Sequence, residues 1–527
     1  MKYSIIPQPN IFEIVNDKPV FTLTKLTNIV CDEQFKAENL KFTKFLKDRF
    51  DLSLLGTGKE NVFIKFCASV KNFEGYSLEI LQDVVYIKAS SCAGVFYALE
   101  SLKQLLIEGE LKLPQLKIED EPAFAYRGFM LDTSRYFYDK EAVKHFIDIM
   151  VMHKLNVFHW HITDDQGWRM QLQNHILLTE IGGFRSHTNF NNKPHGGFYT
   201  TNDMKEIVAY AHENHIRVIP EIDTPGHVVS AIAAYPELSC FSRTLDVATH
   251  SGVKHDVLCV GRESTYDFMF SVLDEACEIF TDGMLHIGAD EVPTTRWKIC
   301  PHCQKRMKDS GLKNESELHT YYTNRIGEYL LNKGVTPIMW NDMEQKNPSN
   351  TGIVWQYWHE QLSHEDVVKH MKDGRDFINS ASESYYFDLP YGNISLEKTY
   401  NYNPFFKGVG GVLEEKLLGV ESALWSEYVP NMKKAYYCLL PRLGAYAENA
   451  WLTQDKKSYD NFMEKMDNYY MVMDFLGIDH ASLKQANPNT IRKLGYLAYF
   501  ERRKLHWQGL HNIIDNKKVE KLARNSK

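Results

Sequence analysis

Eight short apolar runs, separated by amphipathic stretches, constrain the fold of this 527-residue chain more than any other feature. The runs cover 126–133, 156–163, 217–222, 284–289, 335–340, 352–358, 376–381 and 417–424. Helical periodicity lies between most of them, at 140–154, 202–215, 264–280, 316–332 and 365–372, and a last helical stretch covers 432–451. Apolar strands that alternate with helices indicate a parallel sheet covered on both faces. Eight such units predict a closed (β/α)8 barrel.

Chemically active side chains follow the ends of these runs. Barrel enzymes place their chemistry at the C-terminal ends of the strands. Seven of the eight runs end in, or lead into, an acid, a histidine or a tryptophan: Asp164 and Asp165, Asp223 and His227, Asp290 and Glu291, Trp340 and Asp342, Trp358, Tyr386 and Asp388, and Trp425 and Glu427. The pattern predicts one pocket at this end of the barrel.

Asp290 and Glu291 stand side by side after the fourth run. Two like charges this close push one carboxyl group toward its neutral form, and burial raises its pKa further, which suits a general acid. Because consecutive strand residues point to opposite faces, the pair fits poorly as an acid and a nucleophile about 5 Å apart. An ordinary acidic loop is the alternative interpretation.

Aromatic residues at the same strand ends indicate the class of ligand. Trp340, Trp358, Trp425 and Tyr386 would line one pocket, and sugars offer C–H faces that stack on aromatic rings. Their hydroxyl groups need charged or bidentate hydrogen-bond partners, which acids and an arginine supply. The sequence contains no glycine-rich phosphate loop. A carbohydrate site is therefore favoured, although each tryptophan taken singly fits a core role equally well.

The remaining sequence divides into two flanking regions. Residues 1–122 read as a small α/β unit, with strands at 61–67, 76–80 and 84–88 and a helix capped by Ser91. Residues 123–453 form the expected catalytic barrel, and 454–527 a C-terminal helical extension. The extension carries aromatic residues that pack on the barrel or, alternatively, form a subunit interface: Tyr469, Tyr470, Tyr496, Phe500 and Trp507.

Charge and composition exclude several classes of protein. The net charge of −8 and the absence of a basic block argue against nucleic acid as a partner. With no apolar segment of roughly 18 residues and no signal-like start, we expect no membrane span and a cytoplasmic location. Cys300 and Cys303 lack a second pair to complete four zinc ligands, so they are interpreted as a local turn or a redox-indifferent pair, with metal binding as the minor alternative. No metal or cofactor is expected. The oligomeric state stays open.

Six sequence blocks follow one another along the chain: Arg127-Gly-Phe-Met-Leu-Asp132, Phe158-His-Trp-His-Ile-Thr-Asp-Asp-Gln-Gly-Trp168, Val218-Ile-Pro-Glu-Ile-Asp-Thr-Pro-Gly-His227, His286-Ile-Gly-Ala-Asp-Glu291, Leu424-Trp-Ser-Glu-Tyr428 and Pro441-Arg-Leu-Gly-Ala-Tyr-Ala-Glu448. In this order they resemble the blocks of glycoside hydrolase family 20, the β-N-acetylhexosaminidases. The resemblance extends from about residue 126 to 451, and the N-terminal unit also resembles the family's non-catalytic domain. One block departs from the family's usual Gly-Gly-Asp-Glu, because Ala289 replaces the second glycine.

The resemblance implies a retaining mechanism in which the 2-acetamido oxygen of the substrate is the nucleophile and an oxazolinium ion is the intermediate. Glu291 would be the acid and base, Asp290 would hold the acetamido N–H, and Tyr386 would bind the acetamido oxygen. Sugar hydroxyl groups would be bound by Arg127, Asp388 and Glu427, and the pocket walled by Trp340, Trp358 and Trp425. Asp164, in close competition with Asp165, would form a network with His227 near Glu291, with Asp223 as a further partner.

The resulting hypothesis is an exo-acting β-N-acetylhexosaminidase that removes terminal β-linked GlcNAc, with GalNAc as a second candidate sugar. A lacto-N-biosidase that releases a disaccharide is the rival within the family. A non-catalytic carbohydrate-binding protein would keep the tryptophans but would not need both Asp290 and Glu291. A metal-dependent deacetylase is disfavoured, because the histidines form no metal triad with a carboxylate at helical spacing.

Overall fold

The computed structural model of the protein describes residues 3–188, 190, 192–342, 349–359, 362–496 and 498. Its N-terminal unit is a six-stranded sheet in the order β1-β6-β4-β5-β3-β2. The strands are β1 Ile11–Thr22, β2 Asn28–Cys31, β3 Asn61–Phe66, β4 Tyr76–Leu81, β5 Val84–Ala89 and β6 Lys112–Asp120. Helices Lys36–Phe50 and Cys92–Glu108 accompany the sheet, and the Ser91 side chain caps the second by accepting the Gly94 N–H.

The predicted (β/α)8 barrel is confirmed as a closed barrel of eight strands, all paired in parallel. The strands are β7 Tyr126–Asp132, β8 Val157–His161, β9 Arg217–Glu221, β10 Met284–His286, β11 Thr336–Trp340, β12 Val354–Tyr357, β13 Phe377–Asn379 and β14 Leu417–Leu424. Pairing of β14 with β7 closes the barrel, with Gly419 opposite Tyr126. Strand β10 is shorter than the expected run 284–289, because the chain turns after His286.

Helices connect the strands and cover them from outside. The longer ones are Lys140–Met152, Thr201–Glu213, Glu263–Ile279, Pro301–Asp309, Glu315–Asn332, His364–Lys372, Met432–Leu439 and Arg442–Trp451. The short ones are Leu177–Glu180, Val229–Ala234, Ser382–Tyr385 and Leu396–Asn401. The single helix expected over 432–451 is thus two helices, because Pro441 lacks the N–H group that would continue the first.

The barrel interior has an apolar floor and a polar middle. The floor consists of buried side chains from six strands: Tyr126, Val157, Ile219, Ile338, Val354 and Ile378. Above it, His159 and Glu421 are fully buried and form an ion pair, with His159 Nδ1 2.7 Å from Glu421 Oε1. Burial favours the neutral ring, but Glu421 and Glu221 raise the pKa of His159 to about 9. The mainly apolar strands therefore also carry charged side chains that face the interior of the barrel.

At the N-terminal end of the barrel, charges are paired with the N-terminal sheet. Arg127 donates two hydrogen bonds to Glu74, at 2.6 and 3.0 Å, and its guanidinium group lies over the Trp451 ring. Lys154 is fully buried and forms an ion pair of 3.0 Å with Asp120. These contacts join the two units, because each buried cation of the barrel is paired with a carboxylate of the N-terminal unit.

Two long loops at the C-terminal end of the barrel meet at a cluster of cysteines. Cys240 and Cys259 lie in the loop after β9. In the connection after β10, Cys300 directly precedes helix Pro301–Asp309 and Cys303 lies in the first turn of that helix. All four side chains are buried, and their sulfur atoms lie within 4.8 Å of one another. The interpretation of Cys300 and Cys303 as a pair without further cysteine neighbours is therefore wrong, because tertiary folding supplies the second pair.

The helices after residue 454 include Tyr459–Glu464, Met466–Leu476 and Leu483–Ala486. Tyr469 is buried in the main core, and its hydroxyl oxygen lies 2.7 Å from His153 Nε2. Tyr470 and Tyr496 also pack against this core. Phe500 and Trp507 lie outside the described residues. Within the described part of the chain, no helix is both long and apolar enough to cross a membrane.

Candidate active site

The turn that follows β10 presents Asp290 and Glu291 on the same side. Three of its residues have left-handed backbone angles: Gly288 with φ of 71°, Ala289 with φ of 78° and Glu291 with φ of 49°. Asp223 Oδ1 accepts the Ala289 N–H at 3.2 Å, which holds the turn against the neighbouring strand end. Because the pair follows a tight turn rather than extended strand, the two side chains escape the alternation of a strand.

His227 lies between two groups of carboxylates. Its Nδ1 atom is 3.4 Å from Asp164 Oδ1 and 3.6 Å from Asp165 Oδ2. Its Nε2 atom is 3.7 Å from Asp290 Oδ2 and equally far from Glu291 Oε2. One imidazole ring therefore connects the acidic pair to the residues after β8.

Burial and neighbouring charges shift the titration of this group. Burial raises the pKa of Asp290 to about 7, nearby carboxylates add to the shift, and His227 opposes it. Burial alone would lower the pKa of His227, but Asp164, Asp223 and Asp290 raise it well above its usual value. Asp290 thus sits near its titration point at neutral pH, next to a positively charged ring.

Asp290 and Glu291 differ in exposure. The Asp290 side chain is only 13% exposed, and its buried Oδ1 atom has no hydrogen-bond partner among the described residues. The Glu291 side chain is 44% exposed, and its backbone N–H donates to Asp342 Oδ2 at 2.7 Å. One carboxylate is therefore an open acceptor inside the pocket, and the other faces the entrance.

A chain of ion pairs continues from this site into the barrel. His161 Nε2 lies 2.9 Å from Asp164 Oδ2, and its Nδ1 atom pairs with Glu221. Glu221 also accepts the Trp340 indole N–H at 2.7 Å and pairs with His286 at 3.1 Å. His161 therefore holds the Asp164 carboxylate from the side of the barrel interior, which distinguishes Asp164 from Asp165. The carboxylate of Asp165 instead accepts a backbone N–H from Val229.

Aromatic rings form one continuous wall beside the acids. Trp358 and Tyr386 are stacked, with ring centroids 6.2 Å apart and planes 10° apart. Trp425 lies 6.0 Å from Tyr386 and 5.9 Å from Trp340. Trp340 is almost fully buried and lies at the bottom of the pocket, whereas Trp358 and Trp425 are partly exposed. The structure thus brings the four predicted aromatic residues together.

Asp388, Glu427 and Arg135 form the polar edge of the pocket. Burial raises the pKa of Asp388 to about 8, with Glu427 adding to the effect, and Asp388 Oδ1 has no hydrogen-bond partner among the described residues. Burial also raises the pKa of Glu427, against the charge of Arg135. Arg135 Nη2 lies 2.5 Å from Asp164 Oδ2, and its guanidinium group covers the Trp425 ring at 4.9 Å.

Comparison with known proteins agrees with this geometry. Residues 124–454 match the catalytic domain of glycosyl hydrolase family 20, and residues 2–121 match domain 2 of the same family. The first match alone spans more than half of the chain and includes every strand of the barrel. The chain belongs to glycosyl hydrolase family 20. The resemblance seen in the sequence blocks is thereby confirmed at the level of the family.

Relatives of this family 20 chain include curated proteins and solved structures. It is 37% identical to the β-hexosaminidase of Porphyromonas gingivalis over 424 residues, and it spans 77% of its own length but only 54% of that protein. It is 30% identical to the β-N-acetylhexosaminidase of Cellulomonas fimi, covering 91% of the chain and 96% of that relative. The exo-β-N-acetylglucosaminidase of Vibrio harveyi, solved with N-acetylglucosamine, superposes with a TM-score of 0.82 at 27% identity, covering 92% of this chain and 80% of that chain.

One predicted member of the family 20 site lies elsewhere. Arg127 is fully buried at the start of β7, at the opposite end of the barrel from Asp290, where Glu74 binds it. The prediction that Arg127 binds sugar is therefore corrected, because its donors are used in joining the two units. The arginine at the pocket is Arg135, three residues beyond the end of the same strand.

Sequence reasoning also missed a carboxylate and the charges inside the barrel. Asp342 was noted at a strand end but was not placed in the site, although it holds the Glu291 backbone and pairs with the Trp358 indole. Glu221, His161 and His286 were not assigned a role. A signal exists in β8, where His159 and His161 stand two residues apart, the spacing of one face of a strand. Glu221 and His286 are single polar residues at the C-terminal ends of β9 and β10 and show no such spacing.

Proposed function

We propose that the protein is an exo-acting β-N-acetylhexosaminidase that hydrolyses terminal β-linked GlcNAc with retention of configuration. The observation that carries the proposal is the unequal environment of the adjacent acids, one buried with a free acceptor oxygen and the other open to solvent. Two acids that divide the work in this way suit a reaction in which the substrate's own acetamido oxygen attacks the anomeric carbon.

Asp290 is the orienting carboxylate in this proposal. Its Oδ1 atom is available to accept the acetamido N–H, and the ionised form offsets the positive charge that develops on the oxazolinium ring. The positive His227 ring favours that ionised form. Burial, with the nearby Asp290 carboxylate adding to it, raises the pKa of the Tyr386 hydroxyl group well above its usual value, so it stays a proton donor for the acetamido oxygen. Together they hold the nucleophile in a reactive position.

Glu291 is the general acid and base. It protonates the leaving glycosidic oxygen, and it then takes a proton from the water that opens the intermediate. Its exposure of 44% supports both steps, because the leaving group departs and water enters from the open side. The backbone hydrogen bond to Asp342 fixes the position of the residue.

The rest of the pocket supports recognition of a single terminal sugar. Trp358, Tyr386 and Trp425 offer a continuous aromatic surface for the sugar face. Asp388, Glu427 and Arg135 are the candidates for binding hydroxyl groups, and Arg135 takes the place that the sequence assigned to Arg127.

The positive charges of Arg135 and His227 disfavour a metal-dependent deacetylase. The acids nearest the pocket already share Arg135 and the positively charged His227, so a divalent cation there would meet charge repulsion.

The boundaries 1–122, 123–453 and 454–527 are our proposal for the domain division. The Arg127–Glu74 contact supports a bracing role for the N-terminal unit.

Rates on a panel of aryl glycosides test the proposal. We expect fast hydrolysis of aryl β-GlcNAc and almost none of aryl β-glucoside, because the glucoside lacks the acetamido nucleophile. Aryl β-GalNAc reports on selectivity at C4, and chitobiose should yield free monosaccharide. Comparable rates on the glucoside would contradict substrate assistance, and release of intact disaccharide from a lacto-N-biose glycoside would favour the biosidase.

A further inference from the structure

Four buried cysteines form a compact group beside the proposed active site. Cys259 Sγ lies 3.7 Å from Cys300 Sγ and 3.9 Å from Cys303 Sγ, and Cys240 Sγ lies 3.9 Å from Cys303 Sγ. All six pairs are within 4.8 Å. Three separations of 3.7 to 3.9 Å, with the remaining pairs no farther apart than 4.8 Å, are compatible with the corners of a tetrahedron.

The separations fit metal coordination better than disulfide bonding. Zinc–sulfur bonds of about 2.3 Å at tetrahedral angles place the sulfur atoms about 3.8 Å apart. A disulfide requires about 2.05 Å between its sulfur atoms. The observed values of 3.7 to 3.9 Å agree with the first arrangement.

We propose that Cys240, Cys259, Cys300 and Cys303 bind one structural Zn²⁺ ion. Four thiolates and tetrahedral geometry are typical of structural zinc sites, and sulfur ligands select zinc over magnesium or calcium. The fully buried, four-ligand arrangement leaves no open coordination position, so the ion would have no part in the chemistry of the sugar. The assignment of this site does not rest on the proposed hydrolase activity.

The backbone around the cysteines is fixed by contacts that do not involve sulfur. An isolated antiparallel bridge joins Ser239 to Leu258, and the Cys259 N–H donates to Leu238 O at 2.7 Å. A Cβ atom on Gly261 would lie 2.2 Å from the His302 carbonyl carbon, so only glycine permits this approach of the two loops. The cradle is thus built by both loops together.

A cation accompanies the cluster. The Arg262 guanidinium group donates to Ser239 O at 3.1 Å and to Cys240 O at 3.4 Å. Four thiolates around Zn²⁺ carry a net charge of about −2, which a neighbouring arginine partly offsets.

The zinc ion would tie together the two loops that carry His227 and the acidic pair. Leu258 N donates to Pro225 O at 2.9 Å, two residues before His227. The Trp297 indole donates to Leu258 O at 2.9 Å, six residues after Glu291. Loss of the ion would therefore loosen His227 relative to Asp290 without removing either residue.

Elemental analysis of the purified full-length chain tests the proposal. After passage through metal-free buffer, we expect one zinc per chain, released when a mercurial reagent modifies the thiols. The variants Cys259→Ser and Cys303→Ser should lose the zinc, whereas the controls Cys277→Ser and Cys438→Ser, which lie outside the cluster, should keep it. Binding of Co²⁺ in place of zinc should give thiolate charge-transfer and tetrahedral d–d absorption bands.

The wild-type measurements stand even where a cluster variant fails to fold. Reduced wild-type protein that holds no stoichiometric metal and binds no added Zn²⁺ or Co²⁺ would overturn the proposal. So would stoichiometric iron in place of zinc, or zinc that persists in both cluster variants. Hydrolase activity plays no part in these readouts, so failure of the zinc site and failure of the proposed function are distinguishable.

Discussion

The two ends of the barrel use charge in opposite ways. At the N-terminal end, Arg127 and Lys154 are buried and each is matched by a carboxylate of the N-terminal unit, Glu74 or Asp120. At the C-terminal end, carboxylates outnumber the cations beside them, and burial raises the pKa of Asp290 to about 7 and that of Asp388 to about 8. Paired charges join structural units, whereas buried carboxylates that outnumber the neighbouring cations are typical of a ligand-binding site.

This contrast implies that substitutions at the two ends should have opposite consequences. A change at the N-terminal end should reduce the free energy of unfolding and leave the chemistry of the folded protein intact. A change in the pocket should reduce activity and can even stabilise the fold, because the native carboxylates are held there at a cost.

The largest effect is expected from Asp290→Asn. Loss of the negative charge opposite the oxazolinium ion should lower kcat by roughly 10³-fold with a modest change in KM, measured with aryl β-GlcNAc. Unchanged kcat would remove Asp290 from the mechanism.

The same variant should be more stable than the wild type above neutral pH. The pKa of Asp290 is about 7 in the folded protein and about 3.9 in an unfolded chain. The folded state therefore binds the proton more tightly, and its stability falls as pH rises through this window. We expect a gain on the order of 4 kcal/mol at pH 8 that shrinks toward pH 4, measured by urea unfolding. Lower stability at pH 8 would contradict the comparison.

Arg127→Gln should be destabilising by about 3–5 kcal/mol, because Glu74 is left largely buried without its partner. The protein that remains folded should keep its kcat/KM. The double variant Arg127→Met with Glu74→Leu should recover much of the stability, since no unpaired charge remains. A large rise in KM for folded Arg127→Gln would return this residue to the sugar site.

Arg135→Lys is the matched change at the other end. Lysine keeps a positive charge near Asp164 but loses the planar fork that binds two oxygen atoms. We expect kcat/KM to fall by roughly 10- to 100-fold, the size of a lost charge-assisted hydrogen bond, with less loss of stability than Arg127→Gln. Full activity in Arg135→Lys would exclude a direct role in substrate binding.

The smallest effect is a displaced pH profile in His227→Asn. The positive ring lowers the pKa of Asp290, so its removal should raise that pKa above about 7. Because the ionised form of Asp290 is required, the acidic limb of kcat/KM should move to higher pH. His145→Asn is the control, since this exposed histidine pairs with Asp148 on its own helix. A limb that stays in place would separate His227 from the ionisation of Asp290.

The barrel and most of the site could be predicted from the sequence because both depend on local pattern. Eight apolar runs specify parallel strands, and residues just after a run must lie at the C-terminal end. Arg135 escaped the same rule because β7 was judged by residues 126–133, and Arg135 lies just beyond them. Arg127 was misplaced because a sequence block does not say which donors an arginine has already used.

The polar interior and the cysteine cluster depend on tertiary contacts. His159 and Glu421 are 262 residues apart along the chain, and nothing in either strand alone shows that they pair. Cys259 and Cys303 are 44 residues apart and belong to different loops. Closure of the barrel brings His159 to Glu421, and packing of the connections after β9 and β10 brings the cysteines together.

The most direct test of the account varies the acyl group of the substrate. The central claim is that Asp290 orients the substrate's acetamido oxygen, which is the nucleophile. Aryl β-glucosaminides whose N-acetyl group carries one, two or three fluorine atoms have progressively weaker nucleophiles but the same leaving group. If the acetamido oxygen is the nucleophile, log kcat should fall steeply along this series. A flat series would contradict it and would point to a nucleophile supplied by the protein.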